Sequence, residues 1–262
     1  MHGLIHVNTG ELYPLAGLLV GLLVGLTGVG GGSLMTPLLI LLFGVHPVTA
    51  VGSDLLQASV TKSVGSLVHG LSGTVEWRIT GLLACGSVPA SVVTILILAH
   101  RTEPAASELI SLLLGILVIL TAVTVLFRGA LRRLTANHAH DVNPRRAAAL
   151  TVVAGVILGV LVTLTSVGAG ALGVVALAFL YPRLPTARIV AADIAHAVPL
   201  TLIAGMGHWW LGTVDWVLIG KLLMGSIPGI IIGSIVATRV PEMVLRPILA
   251  AVLLLAGSRL VA

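Results

Sequence analysis

Asp54 and Asp193 are the side chains in this chain best placed to do chemistry. Each lies inside a long apolar run, and a charge at the centre of a lipid bilayer is costly enough to mark an ion or substrate path by default. His196 follows Asp193 by three residues and so shares its face on a helix, while Gln57 holds the equivalent place after Asp54. Lys62 lies two turns beyond Asp54, about 12 Å along a straight helix axis, too far for direct contact. Together these groups could move protons, gate a passage and offset the charge of an anion. Asp54 and Asp193 could instead cap helix starts, because Pro47 and Pro185 precede them and a carboxylate suits a helix N-terminus.

Two glycine segments offer a second kind of chemistry. They read Thr27-Gly28-Val29-Gly30-Gly31-Gly32-Ser33 and Thr165-Ser166-Val167-Gly168-Ala169-Gly170. A short helix that starts within the membrane points unpaired N–H groups and a positive dipole end at whatever lies before it, which suits a small anion. Glycine lets that backbone approach a ligand closely. The expected binding set is therefore Thr27, Gly30, Gly31, Gly32, Ser33, Gln57, Lys62, Thr165, Gly168 and Gly170, with Asp54, Asp193 and His196 for coupling or gating. Tight helix packing is the plainer use of the same glycines.

The elements that must position these residues follow from apolar runs. Eight blocks appear, at 12–43, 47–71, 77–100, 106–127, 147–181, 187–211, 214–239 and 243–262. One crossing needs about 20 residues, so the first and fifth blocks are too long for one helix and read as two short helices broken at the glycines. These blocks also repeat. At an offset of 138 residues Leu26-Thr27 matches Leu164-Thr165, Gly32 matches Gly170 and Phe43 matches Tyr181. At an offset of 139 Asp54 falls on Asp193, His69 on His208, and Gly86-Ser87-Val88-Pro89 on Gly225-Ser226-Ile227-Pro228. Between residues 69 and 89, ten of 21 positions are identical to their counterparts, including His, Trp and Pro, which chance likeness between apolar helices would not align. The chain is a duplication, with repeats at 1–127 and 147–262 and a basic linker at 128–146.

Composition bounds the class. Of 262 residues, 57% are hydrophobic and only 9% charged, and mean hydropathy is +1.15. A soluble domain carries about 25% charged residues, so an all-α polytopic membrane protein is expected, multi-pass in the inner (plasma) membrane. The isoelectric point near 10.4 does not point to nucleic acid, because the net charge is only +5 and most of it sits in the linker. Residues 1–13 hold no Lys or Arg, so no cleavable leader is expected. Arg128, Arg132, Arg133, Arg145 and Arg146 place the linker in the cytoplasm. If each broken block crosses twice, Lys and Arg divide ten inside to two outside; if every block crosses once, they divide seven to five. The first count obeys the positive-inside rule better. It gives five passes per half and inverted repeats, in a fold of eight to ten transmembrane segments, an arrangement common in secondary transporters. Trp77, Trp209, Trp210 and Trp216 sit at the two equivalent junctions, as interfacial anchors do.

Other candidates carry less. His138, His140 and Asp141 lie in the charged linker and read as solvated, as do His2 and His6 at the start. His69 and His208 read as hydrogen-bonding residues near the interface, Cys85 as packing, and Lys221 as a snorkelling cation whose counterpart is Leu82. No metal site, cofactor motif or hydrolase signature is present in the sequence.

The chain resembles the TauE/SafE-type sulfite exporter family. The resemblance rests on G-L-T-G-V-G-G-G-S at 25–33, P-V-T-A-V-G-S-D at 47–54, the two G-T-V-[DE]-W turns and the two G-S-[VI]-P segments, and it covers nearly the whole chain. It implies a membrane transporter, not an enzyme, that moves a small anion such as sulfite or an organosulfonate, with export as the expected direction and protons or another ion as the driving partner. An anion channel or an intramembrane enzyme is the alternative. The implied partners are the anionic substrate and the lipid bilayer, with a homodimer left open and no nucleic acid. The second half departs from the first: Ala169 stands where Gly31 does, Ala192 where Ser53 does and His196 where Gln57 does.

The glycine reading makes a direct prediction. Gly31→Leu fills the space that close backbone approach requires, so transport should disappear while folded protein still reaches the membrane. Normal flux by a well-expressed Gly31→Leu protein would remove Gly31 from the site.

Overall fold

The computed structural model describes residues 9–27, 32–71, 75–100, 103–137, 143–236 and 242–261. Gly30 and Gly31 lie outside the described residues, as do His2, His6, His138, His140 and Asp141, and so do the side chains of Thr27, His69 and the linker arginines Arg128, Arg132 and Arg133. Among the described residues the chain is all helix, with ten segments: α1 (Thr9–Thr27), α2 (Gly32–Phe43), α3 (Pro47–Leu71), α4 (Trp77–Leu98), α5 (Glu103–Asn137), α6 (Pro144–Thr165), α7 (Leu172–Leu180), α8 (Thr186–Trp210), α9 (Trp216–Val236) and α10 (Glu242–Val261). The first and fifth apolar blocks each form two helices, divided at the glycines. Helix α5 continues through the first ten residues of the expected linker, and α6 begins within it at Pro144.

Local chemistry explains the boundaries. Asn143 caps α6 by accepting the Arg145 backbone N–H, with Pro144 supplying a preset φ at the first position. Asp215 caps α9, its Oδ1 accepting from the Val217 and Leu218 amides. Helix α6 stops because Ser166 adopts a left-handed conformation (φ 59°) and returns its N–H to the Val162 carbonyl. Gly168 (φ 127°) and Gly170 (φ 108°) then take backbone angles that side chains rarely allow, and α7 starts two residues later. At nine residues α7 is about 14 Å long, roughly half a bilayer core.

Among the described residues, five segments are long and apolar enough to cross a membrane: Trp77–Leu98, Ser107–Phe127, Pro144–Thr165, Thr186–Trp210 and Trp216–Gly233. Shorter apolar helices at Leu12–Leu26, Ser33–Phe43 and Leu249–Val261 accompany them. Large apolar side chains such as Leu42, Phe127, Met224, Ile235 and Leu255 face outward, whereas Asp54, Gln57, Lys62, Asp193 and His196 are buried. Lipid outside and polar groups inside is the distribution a multi-pass membrane protein requires.

Glycine sets the packing. Helix α1 lies against α9, and a methyl group at Gly17, Gly21 or Gly225 would strike the backbone carbonyls of Leu222, Ser226 and Pro14 in turn. Helix α4 lies against α6 in the same way: Gly155 meets the Leu83 carbonyl, Gly159 that of Ser87 and Gly86 that of Val152. These contacts match residue for residue at the repeat offsets, so the fourth helix of each half packs on the first helix of the other. Equivalent helices also meet, α3 with α8 and α5 with α10, and α4 packs on α8. Without water to drive association, transmembrane helices hold by close backbone contact of this kind. A smaller equivalence closes each broken pair. Tyr13 stacks on Phe43 with ring centroids 4.6 Å apart, and their counterparts Thr151 and Tyr181 share a 2.8 Å hydrogen bond.

Gly225→Ala should therefore lower thermal stability in detergent by roughly 1–3 kcal/mol through overpacking. Gly220→Ala, on the same helix with open space around it, should be neutral or stabilising by up to about 1 kcal/mol. Equal behaviour of the two variants would show that backbone contact does not hold α1 to α9.

Candidate functional site

Helices α3 and α8 meet in the interior, and every residue from Ala50 to Ser59 is buried. Gly205 of α8 sits against Leu56, and Gly52 of α3 sits against His208 and the Thr213 carbonyl. This contact brings the polar residues of both helices into one region that α2, α4, α7 and α9 enclose.

Asp54 lies seven residues inside α3 and Asp193 seven inside α8, so neither is a helix cap. Asp54 Oδ2 accepts a 2.6 Å hydrogen bond from the Thr36 hydroxyl of α2. The Ser166 hydroxyl lies beside the same carboxyl, yet Asp54 Oδ1 and Ser166 Oγ are both buried without a hydrogen-bond partner. Asp193 differs. Neither of its oxygens has a well-formed hydrogen bond; Oδ1 occupies the space that a side chain at Gly173 would need, and the Gly170 backbone amide lies nearby. The counterpart of Thr36 is Val174, which has no hydroxyl to give.

Lys62 is the positive charge of the region. It is buried and interacts electrostatically with Asp54, Asp193 and His196, although no ion pair within 4 Å joins it to either carboxylate. An ammonium shared among three groups at longer range can respond to an incoming anion without first breaking a contact bridge.

Two more hydrogen bonds cross between the halves. Gln57 Nε2 donates to Ser226 Oγ at 2.9 Å, and His196 Nε2 contacts Ser87 Oγ at 2.8 Å. These pairs are equivalent: Gln57 corresponds to His196, and Ser226 to Ser87. Ser87 and His196 therefore form the nucleophile–base spacing that sequence reading did not find, but the same position in the other half holds an amide that is no base. The common denominator is a helix–helix tie, α3 to α9 and α8 to α4. His196 Nδ1 remains buried without a partner.

Other expected site residues have plainer surroundings. The Thr165 hydroxyl donates to the Leu161 carbonyl at 2.6 Å and accepts from the Val167 amide at 3.2 Å, so it is occupied by its own helix end. Gly168 and Gly170 supply the turn between α6 and α7, Gly32 opens α2 and Ser33 is buried in it. His208 is buried rather than interfacial; its Nε2 donates to the Thr163 carbonyl and ties α8 to α6. Sequence reading missed Thr36, Ser87, Ser166 and Ser226. The two G-S-x-P serines carried a signal in their repetition, whereas Thr36 carried none, since its counterpart is Val174. A separate cavity of about 520 Å³ opens between α4, α5 and α6, lined by Pro89, Val93, Ile97, Val156 and Val160. Its apolar lining sets it apart from the charged region.

Removing the Thr36 donor from Asp54 tests the architecture. Thr36→Val should cost about 1–3 kcal/mol, the range for stripping a buried carboxylate of its partner, read as a lower unfolding temperature in detergent. An unchanged melting temperature would mean that the 2.6 Å contact contributes nothing.

The family model described as sulfite exporter TauE/SafE matches residues 13–260. The chain is 40% identical over 250 residues to "Probable membrane transporter protein YjnA" of Bacillus subtilis (strain 168), covering 94% of this chain and 98% of the relative. It is 30% identical over 216 residues to "Probable membrane transporter protein" of Xylella fastidiosa (strain 9a5c), covering 80% and 77%. No solved structure matches. With the match running from α1 into the last turn of α10, over a helical body that buries two carboxylates, a lysine and two histidines, the chain belongs to the TauE/SafE sulfite exporter family of membrane transporters.

Proposed function

We propose that this transporter carries a small sulfur oxyanion or organosulfonate out across the plasma membrane, coupled to protons or another cation. The observation that carries the reading is the buried set Asp54, Lys62, Asp193 and His196, gathered between α3 and α8 beside the break that ends α6. Lys62 supplies the countercharge for the anion, and the break before α7 adds backbone N–H groups at a positive helix end. Asp193, with no well-formed hydrogen bond on either oxygen, is the carboxylate that takes and returns a proton, and His196 on the same helical face relays it. The family's description supports sulfite and its relatives as the substrate class.

The two halves are inverted in this reading, so that the contacts swapped between them let the site face either side in turn. Two equivalent scaffolds around one central charge cluster suit alternating access.

Proteoliposomes decide it. Lys62→Gln should reduce sulfite or sulfoacetate flux on the order of a hundredfold or more, as expected when one buried charge that meets an anion is lost. Asp193→Asn should retain anion binding and lose the pH dependence of flux. A channel keeps its flux when the proton gradient is collapsed, whereas the proposed carrier loses uphill transport. Wild-type pH dependence in Asp193→Asn would assign coupling elsewhere.

A further inference from the structure

The end of α6 is richer in unsatisfied oxygen than an anion site should be. A helix leaves its last four carbonyls without intrahelical partners. Here the Val162 carbonyl takes the Ser166 N–H, and the Thr163 carbonyl takes His208 Nε2. Among the described residues no donor reaches the Leu164 or Thr165 carbonyl, although both residues are buried. Ser166 Oγ, at the cap of the same helix, lies beside the Asp54 carboxyl, but neither it nor Asp54 Oδ1 makes a well-formed hydrogen bond, since Thr36 has engaged only Oδ2. Four oxygens thus collect around one helix end, three of them able only to accept. The helix dipole adds negative potential at that point. Water could satisfy some of these atoms, but a carboxylate facing a helix C-terminus needs positive charge most of all. Lys62 is not in contact with Asp54, and its first electrostatic partner is Asp193.

We propose that this helix end is a binding site for one monovalent metal cation, sodium by its preference for hard oxygen ligands, held by Asp54 Oδ1, Ser166 Oγ and the Leu164 and Thr165 carbonyls. One carboxylate among otherwise neutral ligands matches a single positive charge and falls short of what a divalent ion would demand. The two repeat-equivalent aspartates then divide the work. Asp54, set against the negative end of α6, holds the metal ion; Asp193, set against Gly170 at the entry to α7, stays with Lys62 and the proton. Ser166 explains why the halves differ: its counterpart is Gly28, which has no hydroxyl to offer the second site. The ion's role in driving export rests on the coupled-carrier reading above, but its binding does not.

The test uses purified full-length protein in detergent, without substrate, and follows thermal unfolding as sodium, lithium, potassium or choline chloride is raised at matched ionic strength. Sodium should raise the unfolding temperature saturably, and potassium and choline should not. Ser166→Ala should weaken the apparent sodium affinity on the order of tenfold, about 1.4 kcal/mol, and Asp54→Asn should abolish the response. If Asp54→Asn does not fold, Ser166→Ala and the wild-type ion series decide the matter. An identical shift with all four salts, or an undiminished sodium response in Ser166→Ala, overturns the site. Sodium binding without any sulfite or sulfonate transport would keep the site and discard the substrate reading. Transport without any sodium response would do the reverse.

Discussion

A charged side chain in hydrocarbon survives only if other protein surrounds it, and this requirement organises the whole molecule. Helices α3 and α8 carry Asp54, Gln57, Lys62, Asp193 and His196, and neither could face lipid along its polar side. They therefore pack on each other and are covered by α2, α4, α7 and α9. The covering helices reach them closely because glycine pairs α1 with α9 and α4 with α6 at backbone distance. What remains outside is apolar, as the bilayer demands.

The contacts repeat, but the chemistry does not. Each half sends its Gly-Ser-x-Pro serine to the other half's third helix, meeting Gln57 in one case and His196 in the other. An amide and an imidazole fill the same slot, yet only the imidazole is a base. Thr36 steadies Asp54 where Val174 leaves Asp193 unsupported, and Ser166 stands where the first half has Gly28. The Glu76 and Asp215 counterparts diverge as well: Asp215 caps α9, while Glu76 pairs with Arg188 at 2.7 Å across the halves. That exposed ion pair contributes little stability. Duplication supplied a scaffold with two matching positions, and substitution at a handful of sites gave the two aspartates different neighbours.

Much of this was legible in the residues alone. Membrane residence followed from the scarcity of charge, because no soluble fold can cover itself with so few polar groups. Helix number and breakpoints followed from run length against bilayer thickness: residues 47–71 form one helix over that span, and the two overlong blocks divide at their glycines. The prominence of Asp54, Asp193, His196 and Lys62 followed from the cost of burying them. Those inferences depend on composition and local spacing, which a linear chain displays in full.

Partnership between distant segments was not legible, because it depends on how helices pack and not on where residues stand along the chain. Ser87 with His196, Ser226 with Gln57 and Thr36 with Asp54 are separated by 109, 169 and 18 residues. No periodicity links them. Nor could spacing reveal that Thr165 turns its hydroxyl back on its own helix, or that the two aspartates sit well inside their helices and cap nothing. The sequence by itself determined the solvent, the helices and the groups that must be hidden from lipid. Only the tertiary structure decided which group faces which, since hydrogen bonds act over about 3 Å and that proximity arises only when the helices cross.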